Sequence, residues 1–171
     1  DNSGNGLNGI ISGATYTMGK VNGAYTFDGI DDKISVPGIW AAKSKGTITF
    51  WMYQAKGGTR QRVLGSHDAF EAVMEPANYL SNQFFRGSSV KSTTLALQQN
   101  RWYHIAMTWD NELKQITTYK DGLLYDKQAI NTSGPSNAQL LIGHRPGSSG
   151  GYFNGQLDEL RIYDNGAKHI F

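Results

Sequence analysis

The sequence predicts an all-β domain, a sandwich or barrel of short strands joined by tight turns. Three observations carry this. Glycine supplies 21 of 171 residues, about 12% against a usual ~7%, while charged residues make up only 18%. Aromatic residues are plentiful, with 9 Tyr, 7 Phe and 4 Trp, and these favour strands. From Tyr25 onward, segments of period-2 alternation are separated by turn residues, and no ten-residue stretch shows convincing 3.6-residue periodicity.

Taken in chain order, Asp1 to Gly23 is rich in Gly, Asn and Ser and reads as loop with at most one short strand. Strands are expected at Ala24–Phe27, Lys33–Val36, Thr47–Tyr53, Arg62–Ser66, Phe70–Met74, Asn82–Arg86, Thr94–Leu97, Trp102–Asp110, Gln115–Lys120, Leu123–Ile130, Gln139–Ile142 and Phe153–Tyr163. Asp121-Gly122 is a two-residue hairpin signal, because both central positions of that turn want positive φ. Asp28-Gly29 and Gly57-Gly58 punctuate in the same way. Ser133–Asn137 and Pro146–Gly151 are loops, and only Ile39–Lys45 has room for a short helical turn. In Thr47–Tyr53, Ile48, Phe50 and Met52 share one face, and Trp51 and Tyr53 lie on the other. In Trp102–Asp110, Tyr103, Ile105, Met107 and Trp109 face the core, while Trp102, His104, Ala106 and Thr108 face away.

Length and composition set limits on function. A chain of 171 residues is one domain and is expected to bury about two thirds of its unfolded surface, so it needs no staples. With no Cys it has no disulfide, no thiolate nucleophile and no Cys-based zinc site. A net charge of +2, from 16 basic and 14 acidic side chains, is too balanced for a general nucleic-acid binder. No stretch approaches 18 apolar residues, so no helical membrane span is expected. The abrupt start at Asp1 without a Met suggests a module, residues 1–171, taken from a longer or processed protein.

Three stretches together resemble a known family. The first is Asp1-Asn2-Ser3-Gly4-Asn5-Gly6 followed by Gly19-Lys20-Val21-Asn22-Gly23-Ala24-Tyr25-Thr26-Phe27-Asp28-Gly29-Ile30-Asp31-Asp32. The second joins Thr47-Ile48-Thr49-Phe50-Trp51-Met52 to Arg101-Trp102-Tyr103-His104-Ile105-Ala106 and Tyr119-Lys120-Asp121-Gly122. The third is Leu141-Ile142-Gly143 and then Phe153-Asn154-Gly155-Gln156-Leu157-Asp158-Glu159-Leu160-Arg161-Ile162-Tyr163. In this order and spacing they resemble the laminin-G-like, concanavalin A-like jelly-roll modules attached to secreted bacterial glycosidases, polysaccharide lyases and adhesins. The resemblance covers nearly the whole chain. It implies two antiparallel sheets packed face to face, one of them concave, in a secreted or surface-displayed, non-catalytic module that often binds carbohydrate and often carries structural calcium.

Calcium takes several oxygen ligands from carboxylates and carbonyls. Asp28, Asp31 and Asp32 crowd one turn, and Asp158 lies in the last strand. If the first and last strands pair, as the resemblance suggests, these groups meet. Asp28, Asp31 and Asp158 are therefore the expected metal ligands, with Asp1 a further one. The plainer reading is that Asp28 and Asp31 cap a turn and Asp158 pairs with a base such as Arg161.

Sugars present apolar CH faces ringed by hydroxyls, so a sugar site combines an aromatic platform with polar partners. The candidates are Trp51, His104, Tyr119, Arg62, His67, Tyr79, Arg86, Arg145 and Tyr152. Were Arg60, Arg62, His67, Arg86, Lys91 and Arg145 to share a face, the glycan would be anionic, because Arg grips carboxylate or sulfate in a bidentate way. Each of these side chains also has a bland reading, as core packing for the aromatics and solvated charge for the bases.

Enzymatic patterns are poor. The Glu-x-Asp-x-x-Glu run of the related glucanases is absent, and Asp68, Glu71 and Glu75 have the wrong spacing. No Gly-x-Ser-x-Gly elbow, His-Glu-x-x-His or P-loop occurs. The expected function is a module that anchors the catalytic domains of a parent protein, or an adhesin, to a polysaccharide or glycan. A protein-interaction domain without a sugar site is the alternative, and a small lyase or hydrolase the weaker one.

Overall fold

The computed structural model describes residues 4–37, 44–66, 70–85, 89–91, 95–129 and 139–164, with the side chains of 82–85 and 89–91 left aside. Among the described residues fifteen strands run in chain order: β1 Ile10–Ser12, β2 Thr15–Met18, β3 Gly23–Asp28, β4 Lys33–Val36, β5 Lys45–Gln54, β6 Gln61–Ser66, β7 Phe70–Glu75, β8 Tyr79–Phe85, β9 Ser89–Lys91, β10 Leu95–Ala96, β11 Trp102–Asp110, β12 Gln115–Lys120, β13 Leu123–Ala129, β14 Leu140–Ile142 and β15 Asn154–Tyr163. They form two antiparallel sheets packed as a jelly-roll sandwich. Sheet A has the order β1-β4-β14-β6-β7-β8-β10, with β9 paired to β8. Sheet B has the order β13-β12-β11-β5-β15-β3-β2.

The period-2 faces read from the sequence are the ones the fold uses. Ile48, Phe50 and Met52 of β5 and Tyr103, Ile105, Met107 and Trp109 of β11 are buried between the sheets. They meet Val63, Leu64, Phe70, Ala72, Met74 and Leu80 of sheet A. Each buried Leu, Ile or Phe contributes about 1.5–3 kcal/mol by leaving water. The Asp121-Gly122 hairpin forms with φ of 50° and 81°, as its sequence requires. The opening loop differs from expectation. It holds two strands, β1 and β2, which edge sheets A and B respectively. Both strands are short and lie at sheet edges, and Ile10, Ile11, Tyr16 and Met18 are all exposed. Of the candidate helical turn, residues 39–43 lie outside the described residues, and Lys45 opens β5.

Candidate functional site

The nine sugar-site candidates do not share one surface. Trp51 and His104 are register partners across β5 and β11, and Tyr119 stands opposite Ala106 on β12, so these three lie on the outer face of sheet B. Arg62 of β6 and Tyr79 of β8 lie on the outer face of sheet A, where Arg145 reaches Glu71 and Tyr152 bridges to Arg62. The core separates the two groups. His67 and Arg86 lie outside the described residues.

On sheet B the aromatic residues form a cross-strand plate. Trp51 packs against His104 with ring centroids 5.2 Å apart, and Tyr53 packs against Trp102 at 5.5 Å. Register places these pairs two residues apart, about 7 Å along the strands. All four rings are half-buried. Lys20 places its ammonium 5.4 Å over the Trp51 ring, a cation–π contact. Polar groups rim the plate. The Tyr53 hydroxyl donates to Asn100 Oδ1 at 3.1 Å, and Thr26 and Gln156 continue the Tyr53 row. Burial lowers the His104 pKa despite the Asp121 carboxylate, which acts in the opposite sense. Asp121 Oδ1 accepts from the His104 amide at 2.9 Å and also lines a depression of about 300 Å³ with Arg101, Tyr103 and Lys120. Tyr53 and Trp102, which the sequence places on the outward faces of β5 and β11 but which are not among the nine candidates, belong to this plate, as does Lys20, which the sequence reading passed over. The signal for Trp102 was its pairing opposite Tyr53.

The acidic residues also divide. β3 and β15 pair as expected, but Asp28 stands opposite Asn154, and Asp158 stands opposite Ala24. Four residues of extended strand, about 13 Å, therefore separate the two positions. Asp28, Asp31 and Asp32 do bring carboxylate oxygens within 4.8 Å of one another. Hydrogen bonds within the turn occupy much of this cluster. Asp28 Oδ1 accepts from the Ile30 amide at 2.8 Å, and Asp32 Oδ2 accepts from the Asp28 amide at 2.9 Å. Asp158 is different. It is 3% exposed, on the outer face of sheet B beside Trp51, under the turn that joins β2 to β3. Its Oδ2 accepts from the Val21 amide at 2.8 Å, while its Oδ1 is buried with no hydrogen-bond partner among the described residues. A Cβ on Gly19 would lie 2.5 Å from Oδ2, so only glycine lets the turn close over this carboxylate. Arg161 pairs with Glu159 rather than with Asp158. Asp1 lies outside the described residues. An orphaned carboxylate oxygen beside a backbone turn fits a hard cation.

On sheet A, Glu71 is 1% exposed and receives two guanidinium groups. Arg62 Nε lies 2.9 Å from Oε1, an ion pair whose angle falls outside hydrogen-bonding geometry, and Arg145 Nη1 lies 3.3 Å from Oε2. Glu75 is the next carboxylate on this face, four residues and about 13 Å along the strand. That exceeds the ~5–9.5 Å separation of a glycosidase pair. His144 is 2% exposed and packs on Tyr152 with centroids 3.7 Å apart. Burial first, then the charges of Arg62, Lys33 and Arg145, lower its pKa from 6.5 to about 4. Between those two values the unfolded chain takes up a proton that the native chain refuses. Stability from this group is thus complete above pH 6.5 and falls as the pH drops toward 4. The loss is on the order of 3 kcal/mol. A His144→Phe variant is expected to lack this component, read as a shallower fall of melting temperature between pH 7 and 4.5. Parallel curves would refute it.

The sandwich and its outward aromatic plate define a lectin-like β-sandwich. The sequence between residues 27 and 167 matches the family described as the Concanavalin A-like lectin/glucanases superfamily, and the chain belongs to it. Comparison with curated proteins found no match. Several solved structures share the fold. Domain 4 of AbnA, a GH43 extracellular arabinanase from Geobacillus stearothermophilus in complex with arabinotriose, aligns at a TM-score of 0.77 and 19% identity over 94% of this chain and 84% of that one. The binding domain of botulinum neurotoxin DC in complex with SialylT aligns at 0.73 and 12% over 95% of this chain, which spans 44% of that one. A heptameric SAP-like pentraxin from Limulus polyphemus aligns at 0.68 and 14%, over 85% of this chain and 77% of that one.

Proposed function

We propose that the chain is a non-catalytic carbohydrate-binding domain whose outer sheet B face stacks a sugar ring on Trp51 and its neighbours. The observation that carries this is the four-ring plate of Trp51, Tyr53, Trp102 and His104. Ring stacking covers the apolar face of the sugar, and Asn100, Gln156 and Lys20 offer donors and acceptors to its hydroxyls. No bond is broken. Among the described residues, Glu71 is the buried carboxylate of sheet A; it is tied to two arginines, and Glu75, the other carboxylate on its strand, stands about 13 Å away along it. The AbnA domain, a part of an extracellular arabinanase, was solved with arabinotriose. It supports reading this chain as a secreted or surface module that holds the catalytic domains of a larger protein, or an adhesin, near its polysaccharide. Affinity electrophoresis through arabinan and other neutral polysaccharides is expected to retard the chain. Free migration in every gel, or turnover of any polysaccharide, would overturn the reading.

Structural calcium belongs to the same proposal, with Asp158 as the central ligand rather than the Asp28 and Asp31 turn. The cation satisfies Asp158 Oδ1 and fixes the turn that carries Lys20 over Trp51, so metal and sugar sites are coupled through one loop. At about a hundredfold excess over its dissociation constant, calcium stabilises the native state by ~2.7 kcal/mol. A rise in melting temperature of roughly 5–10 °C over chelator follows. Asp158→Asn is expected to abolish that rise, and Asp28→Asn to leave most of it. The reverse pattern would move the metal to the turn, and equal melting with and without calcium would remove it.

A further inference from the structure

We propose that the outer face of sheet A is a second binding site, selective for saccharides that carry an oxyanion, with Arg62 and Arg145 as the gripping residues. The site is built rather than incidental. Gly65 has no side chain where the Arg145 stem crosses β6, and a Cβ there would lie 3.0 Å from Arg145 Cγ. Gly151 has φ +78°, and a Cβ on it would lie 2.4 Å from Arg62 Nη1. Arg62 is fastened from three sides. Its amide donates to the Gly151 carbonyl at 2.7 Å, its Nη1 donates to the Gly150 carbonyl, and its Nε faces Glu71. Both guanidinium groups are pre-organised yet accessible, with side-chain exposures of 17% and 26%.

Charge gives the site its sign. Arg60, Arg62, Arg145 and Lys33 act on this cluster, opposed by Glu71 and Glu75. Among the described residues, these four cations against two carboxylates leave a surplus of +2. Burial is the largest cause that lowers the Arg62 pKa, Glu71 opposes it, and Arg145 and Arg60 lower it further. The cations around His144 help hold its imidazole neutral. A buried carboxylate shared by two arginines leaves a guanidinium pair that a ligand oxyanion complements. Tyr152, half-buried on His144, offers a ring beside it for the sugar attached to that oxyanion. A uronate carboxylate and a sugar sulfate present the same chemistry, and the experiment below separates them.

The test is an amide NMR titration of the intact chain with three probes: trigalacturonate, a sulfated galactan trisaccharide, and neutral arabinotriose. At low salt, at least one acidic probe is expected to shift the amides of Glu71, His144 and Gly151 while leaving the Trp51 indole N–H in place. Which acidic probe does so identifies carboxylate or sulfate. Raising NaCl from 50 to 500 mM should weaken this binding several-fold. Arg145→Gln should weaken it at least tenfold, and Lys33→Gln, which lies outside the arginine–glutamate contacts, about twofold. The Lys33 variant keeps the test open should Arg145→Gln fail to fold. Shifts confined to Trp51, equal response to arabinotriose on sheet A, no response to either acid, or salt-insensitive binding would each overturn the proposal. The plate on sheet B is judged separately, by the Trp51 indole response to the neutral probe.

Discussion

Trp51→Ala is expected to weaken neutral-glycan binding about 30-fold while the domain remains folded. Stacking one sugar face on an indole removes apolar surface from water, and losing it costs roughly 2 kcal/mol, which converts to that factor. Trp51 matters more than its neighbours because it is the junction of the site. Its ring contacts His104 and lies under the Lys20 ammonium. Its backbone register joins β11 to Asp158 on β15. The ring is half-buried and on the outer face, so its removal opens no core cavity. A fall in melting temperature of at most about 4 °C follows from the lost cross-strand contact. Isothermal titration calorimetry with the oligosaccharide that retards the chain most reads the effect. Unchanged affinity in a folded Trp51→Ala protein would reduce the plate to a sheet-stabilising ladder and leave sheet B without a function.

Much of this architecture was legible because strand periodicity is a local property. Ile48, Phe50 and Met52 had to share a face whatever the fold, and the core uses that face. The division of the candidate residues was not legible. Trp51 and Arg62 are eleven positions apart on consecutive strands, yet β5 enters sheet B and β6 enters sheet A. Alternation says which residues point away from the core, not which side of the sandwich they point to. Register was hidden for the same reason. Pairing of β3 with β15 was expected, but a four-residue offset decides that Asp158 meets Ala24 and not Asp28. Glu71 shows a third limit. In the sequence it stands in a failed catalytic spacing, and only the crossing of two arginines from β6 and from the loop after β14 shows it to be an anchor for cations.

Gly143→Ala is expected to be among the most damaging single-methyl changes in the chain. Gly143 follows β14 with φ +83°, a conformation that costs a side-chain-bearing residue about 1–2 kcal/mol. Its added Cβ would lie 2.4 Å from the Phe27 ring and 3.0 Å from the Asp32 carbonyl. Phe27 cannot swing away, because it is 1% exposed and packs on Phe153 with centroids 6.1 Å apart. Overpacking adds about 1–3 kcal/mol. The total, about 3 kcal/mol, lowers the melting temperature by roughly 6–12 °C. Gly58 supplies the control. It has φ +82° but nothing within 4 Å of its would-be Cβ, so Gly58→Ala carries the backbone cost alone, about 1 kcal/mol and a few degrees. The gap between the two variants measures packing at the root of the loop that carries His144 and Arg145. Gly143 also holds that loop by donating to Val63 at 2.7 Å and accepting from Phe153 at 2.9 Å. Displacing it should therefore cost more acidic-saccharide affinity than arabinotriose affinity. Equal melting of the two alanine variants would mean that Phe27 and its neighbours yield to the methyl group, and that the sheet A arginines are held less firmly than their contacts imply.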